Sequence, residues 1–237
     1  MTRKPSGPSR PLFSGKMKLS DLIDLNPDLL AILGRTGIGP GFGEATVEEA
    51  CLGRGLDTDT FLEVCRVYTF RDYVPSASAL EKVRPSDIIR YLKLSHNYYV
   101  STALTSLRDA INKMLLSCDE KRKRVIFRFF EEYEKEMLKH FEYEEELVFP
   151  YVGALSSKAS DIVVPPMERE FEHSSMGEKI NDLKNIVLKY LPAGSDSDTA
   201  LEVLRRLYDL SSDIARHTSI EDNILLPIIK RMESHGE

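Results

Sequence analysis

Four histidines, spaced in two equal steps, constrain this chain more than any other feature. His96 and His140 lie 44 residues apart, and so do His173 and His217; His96 to His173 and His140 to His217 are each 77 residues. Only five histidines exist, and the fifth, His235, sits in a polar tail with no partner. Such spacing describes a helical hairpin present twice, with a histidine at the matching position of each arm. The second arm of each hairpin adds a glutamate four residues on, Glu144 after His140 and Glu221 after His217, and a proline six further, Pro150 and Pro227. Residues at i and i+4 share a helix face one turn apart, so each pair points an imidazole and a carboxylate the same way.

Apolar periodicity supplies the helices that carry these residues. The first long helix starts at Ser86 and reaches about Leu116, with Ile88, Leu92, His96, Tyr99, Val100, Ala103, Leu107 and Ile111 on one face. The second runs from Glu120 to Phe149, with Phe129, Tyr133, Met137, His140, Glu144, Leu147 and Val148 on one face. The third runs from Pro166 to Tyr190, and the fourth from Thr199 to Met232, opened by a Thr199/Glu202 capping box. The two prolines are expected to end or bend their helices. No stretch alternates like a strand. The expected fold is all-α: a four-helix bundle over 86–233, preceded by a flexible tail (1–16), a small helical module (17–75) and a linker (76–85). In the module, Ser20 is expected to cap the first helix, Asn26-Pro27 to start the second, and Thr46 with Glu49 to form a capping box. Its glycine-rich loop, GRTGIGPGFGEA, lacks the Gly-Lys-Ser/Thr ending of a phosphate loop and reads as a turn between helices.

Placed on the inward stripes, His96, His140, Glu144, His173, His217 and Glu221 converge in the bundle core. An ionised glutamate in an apolar core is costly unless it is paired or binds a metal, and cations between these side chains would offset that cost. Six ligands exceed what one tetrahedral zinc uses. They suit two metals, each held by two histidines and bridged by the glutamates. Imidazole with carboxylate favours iron, with manganese the alternative and zinc less suited. An oxo or hydroxo bridge and an open position would complete the coordination. Taken singly, an inward histidine is more often a hydrogen-bonded core residue, and a lone His-x3-Glu an intrahelical polar pair. Here spacing, inward placement and paired glutamates agree. Glu142, Glu145 and Glu146 read as residues of the outer faces or rim of their helix.

Composition excludes several classes. A net charge of −6 argues against a general nucleic-acid or anionic-membrane binder. No apolar run is long enough for a membrane span. The three cysteines, Cys51, Cys65 and Cys118, are odd in number and form no CxxC, so they read as small buried apolar residues in a reducing cytoplasm.

The segments LSHNYYV, HFEYE, EREFEHSSMG and HTSIE resemble the ligand segments of hemerythrin-like, HHE cation-binding domains. The order His, His-x3-Glu, His, His-x3-Glu is most similar to the RIC (repair of iron centers) type. Oxygen-carrying hemerythrins typically have a fifth histidine and an aspartate in the last motif; this chain offers no inward fifth histidine, and its last carboxylate is Glu221. The resemblance covers 86–232 and, more weakly, the module at 17–75. In the RIC type that module often carries an adjacent cysteine pair, where this chain has GIGPGFGEAT. The resemblance implies a cytoplasmic di-iron protein that repairs, or donates iron to, iron–sulfur proteins damaged by nitric oxide or oxidation. An oxygen- or NO-binding sensor or carrier is the alternative, and a scaffold without metal the third. The expected partners are damaged iron–sulfur clients and a small gaseous ligand, with no nucleic acid and no membrane.

Overall fold

A computed structural model describes residues 13–116, 118–157, 159, 173–191 and 196–234, with residues 173–175 described in backbone only. Among these residues there is no strand; one isolated bridge joins Lys18 to Thr46. No helix among them is long and apolar enough to cross a membrane.

The N-terminal module comprises α1 (Leu19–Leu25), a 3₁₀ turn (Pro27–Leu29), α2 (Leu30–Thr36), α3 (Val47–Leu52) and α4 (Thr58–Thr69). Local caps set most of its boundaries. The Asn26 side chain accepts the Asp28 N–H at 3.1 Å, with Pro27 opening the turn. Thr46 and Glu49 form the full reciprocal capping box of α3. Gly37 closes α2 at φ +75°, a left-handed conformation that a side chain would oppose. Ser20 does not cap α1, which starts at Leu19, two residues ahead of the expected Asp21, because the Leu19 N–H donates to the Ala45 carbonyl at 3.0 Å. Tertiary contact thus replaces the local cap. Phe13, in the stretch read as a tail, is buried at 2% exposure, and its carbonyl accepts from Arg66 at 2.7 Å. The stretch read as a linker contains one short helix, α5 (Ala77–Leu80), capped by Ser76.

The bundle follows as a four-helix all-α fold. Its first helix is α6 (Pro85–Tyr98), a π-helical segment (Tyr99–Leu104) and α7 (Thr105–Leu115). Its second is α8 (Glu120–Tyr143), a π segment (Glu144–Val148) and α9 (Phe149–Ser157). The third is α10 (His173–Tyr190), and the fourth α11 (Ser197–Ile220), a π segment (Glu221–Leu225) and α12 (Leu226–Ser234). The fourth starts ahead of the expected Thr199/Glu202 box. Asp196 caps it by accepting the Asp198 N–H at 3.1 Å, while Glu202 pairs with Arg206 at 2.8 Å.

The prolines do not end their helices. The Phe149 N–H donates to the Glu144 carbonyl, and the Leu226 N–H to the Glu221 carbonyl, each a bond back five residues. A proline ring inside a helix collides with the carbonyl four residues back. The wide turn directly before Pro150 and Pro227 opens the helix there, and both helices continue for two further turns. The same widening changes the inward face. Val100 and Leu147, expected inward, are 40% and 45% exposed, while Leu104 and Val148 are buried.

Helix packing places α7 against α11, α10 against α8 and α11, and α9 against α6 and α12; α2 lies on α6 and α4 on α11. The apolar core is divided in two. One cluster joins the module (Leu22, Ile32, Phe61, Val64) to bundle residues such as Ile88, Leu92, Val152 and Ile228. The other comprises Leu107, Ile111, Phe130, Met137, Leu183 and Leu207 among its members. The histidine–glutamate layer lies between them.

Candidate metal centre

Three helices deliver their side chains to this layer just where α-helix gives way to π-helix. His96 lies three residues before the first π segment; Glu144 and Glu221 each begin one. Such segments occur often at functional sites, because the extra residue re-aims side chains. Ligand atoms of His96, Glu144, His217 and Glu221 all lie within 4.8 Å of one another, and all four residues are buried. His96 Nε2 is 3.1 Å from Glu144 Oε2, and His140 Nε2 is 3.4 Å from Glu144 Oε1. Each oxygen of one carboxylate therefore faces a different imidazole, the arrangement a bridging carboxylate needs. His217 Nε2 is 2.7 Å from Glu221 Oε1 and 3.2 Å from His96 Nε2.

The structure thus brings together five of the six residues expected here, with His140 at the edge of the group. His173 is the first residue of α10, and its side chain lies outside the described residues, as does His235. The donor set fits metal cations. Two carboxylates with side chains at 1% and 3% exposure face the Nε2 atoms of imidazoles, and a positive charge among them offsets the cost of burying both. The cysteines are elsewhere: all three are free and buried. Burial pushes the Cys51 thiol up to about 12 and the Cys65 thiol well above its usual range, so neither is a ready thiolate.

Two aromatic rings pack against His96. Its ring stacks on Phe141 (centroids 4.0 Å, planes 13° apart) and on Phe149 (5.7 Å, 18°). Burial first, then the neighbouring His217, pushes its imidazole down to about 2, which keeps it in the neutral form that binds metal. Glu145 lies at the rim, within the outer-face-or-rim placement expected of it. Its carboxylate, with a side chain 40% exposed, accepts from His96 Nδ1 at 2.9 Å. With the proton on Nδ1, the Nε2 lone pair points into the layer, which is the tautomer a ligand requires. Regular helical periodicity turns Glu145 outward; the π segment brings it to His96. Glu145→Gln is expected to weaken metal binding ~10–100-fold with unchanged far-UV circular dichroism, read by chelator competition. Wild-type affinity in the variant would remove Glu145 from the centre.

Residues 87–229 match the family model described as the hemerythrin HHE cation binding domain. The matched stretch holds all six expected ligands and none of the N-terminal module. No curated protein matches the chain.

Proposed function

Because the chain belongs to the hemerythrin HHE cation-binding family, we propose that it holds a pair of iron ions in this layer and uses them to repair, or supply iron to, iron–sulfur centres damaged by nitric oxide or oxidation. One observation carries the reading: buried carboxylate and imidazole donors, with no thiolate, converge within 4.8 Å. That donor chemistry favours iron, with manganese the closest alternative. Glu144 and Glu221 would bridge the ions, with His96, His140, His173 and His217 holding them from the four helices. Bound iron supplies Lewis acidity and one-electron chemistry toward a small ligand such as NO or O2.

The chain's own residues prepare that site. Phe141 and Phe149 cover His96 and exclude water from its ring. Glu145 orients the same ring from the partly exposed edge, where a proton on Nδ1 can exchange with solvent. The compartment proposed is a reducing cytoplasm, in keeping with three free cysteines. A second reading, a sensor of O2 or NO, is favoured by the module's docking onto α6 and α11, beside the ligands.

The repair reading is tested by mixing the iron-loaded protein with an iron–sulfur hydratase whose cluster has been damaged by NO. Recovered hydratase activity should track iron leaving this protein and should fail with Glu221→Gln. Full retention of iron with no recovery would sink repair and leave sensing.

A further inference from the structure

His217 is held differently from His96. Its Nδ1 is buried and has no hydrogen-bond partner among the described residues, whereas His96 has Glu145 at that position. Packing restrains the His217 ring instead. Tyr99 meets it edge-on, with centroids 5.5 Å apart and planes at 88°, and Phe141 meets it at 6.1 Å and 68°.

Tyr99 is fixed in turn from outside the bundle. The Arg35 guanidinium lies 5.0 Å from the Tyr99 ring centroid and 4.7 Å from that of Tyr98. Arg35 belongs to α2 in the N-terminal module, outside the family-matched stretch. Its side chain is only 3% exposed. It forms an ion pair with Asp213 and donates to the Tyr91 hydroxyl at 3.3 Å. Asp213 precedes His217 by one turn of α11 and also accepts the Tyr68 hydroxyl of α4 at 2.6 Å. Two helices of the module therefore converge on one carboxylate a turn from a ligand, and one of them also presses a cation onto the aromatic ring that backs that ligand.

We infer that Arg35 is a positioning residue of the metal centre: through Asp213 and Tyr99 it fixes the ring of His217, so that module docking and geometry at His217 form one coupled state. The inference rests on the metal-centre reading above. A guanidinium is suited to the task because it is planar, stacks on aromatic faces and pairs directionally with a carboxylate, which an ammonium does not.

The test uses the full chain with Co²⁺ as the probe. Affinity is read by chelator competition, ligand geometry by the visible ligand-field bands, and the metal-free fold by circular dichroism and melting. Arg35→Gln should weaken Co²⁺ binding by on the order of tenfold, as loss of an orienting partner does, and shift the ligand-field bands. Arg35→Lys should not restore them, and Tyr68→Phe should move both readouts in the same direction by less. Unchanged affinity and bands in Arg35→Gln would overturn the inference; if that variant does not fold, unchanged values in Tyr68→Phe would do so. A wild-type protein that binds no Co²⁺ would mark failure of the metal-centre reading, a distinct result.

Discussion

Glu221→Gln is expected to empty the metal centre while the bundle stays folded. Glutamine matches glutamate in size, so the apolar residues on either side of the layer keep their packing. What it removes is the negative charge and the second anionic oxygen that would let one side chain serve two cations, as proposed. Loss of an outer-sphere partner alone costs ~10–100-fold in affinity, so loss of a bridging carboxylate should exceed roughly a hundredfold. Elemental analysis of the purified variant should then find only traces of iron where the wild type is proposed to hold two ions. The metal-free variant should melt no lower than the metal-free wild type, because a carboxylate 3% exposed no longer has to be buried. Two tightly held ions in Glu221→Gln would exclude a bridging role.

Removing metal from the wild type should have the second-largest effect. A ligand that binds only the folded state stabilises it by about 4 kcal/mol when present at a thousand times its dissociation constant. For a chain of this size each kcal/mol moves the melting temperature by about 2–4 °C. Chelation should therefore lower the melting temperature by on the order of 10 °C, and readdition of iron should restore it. Glu221→Gln should show no such difference between chelated and iron-supplemented samples. An equal melting temperature with and without metal in the wild type would mean that the ions do not brace the bundle.

The residues of the layer were legible in the sequence for a simple reason. Spacing by i and i+4 survives translation into a helix, and a duplicated hairpin repeats it, so His140 with Glu144 and His217 with Glu221 could be paired without coordinates. The three π segments were not legible. One extra residue per turn leaves no mark in composition, yet it exposes Val100 and Leu147, buries Leu104 and brings Glu145 to His96. For two of them the signal was the proline after each His-x3-Glu, which an unbroken α-helix accommodates poorly; the first, Tyr99–Leu104, has no proline after it. Caps divided by range. Those at Asn26 and Thr46 are local and readable, whereas α1 begins where it does because Ala45 supplies an acceptor from 26 residues away. Arg35 gave no local sign of its role, since the Asp213 that holds it is 178 residues distant.

The division of the apolar core has a mechanical meaning for the proposed release of metal ions. Each half is sealed by its own buried residues, one continuous with the module and the other spanning α7, α8, α10 and α11. The seam can thus loosen without melting either side. If the proposed iron donation holds, a chain built this way would release its cargo by local opening, at a fraction of the free energy of global unfolding, and remain folded for the next load.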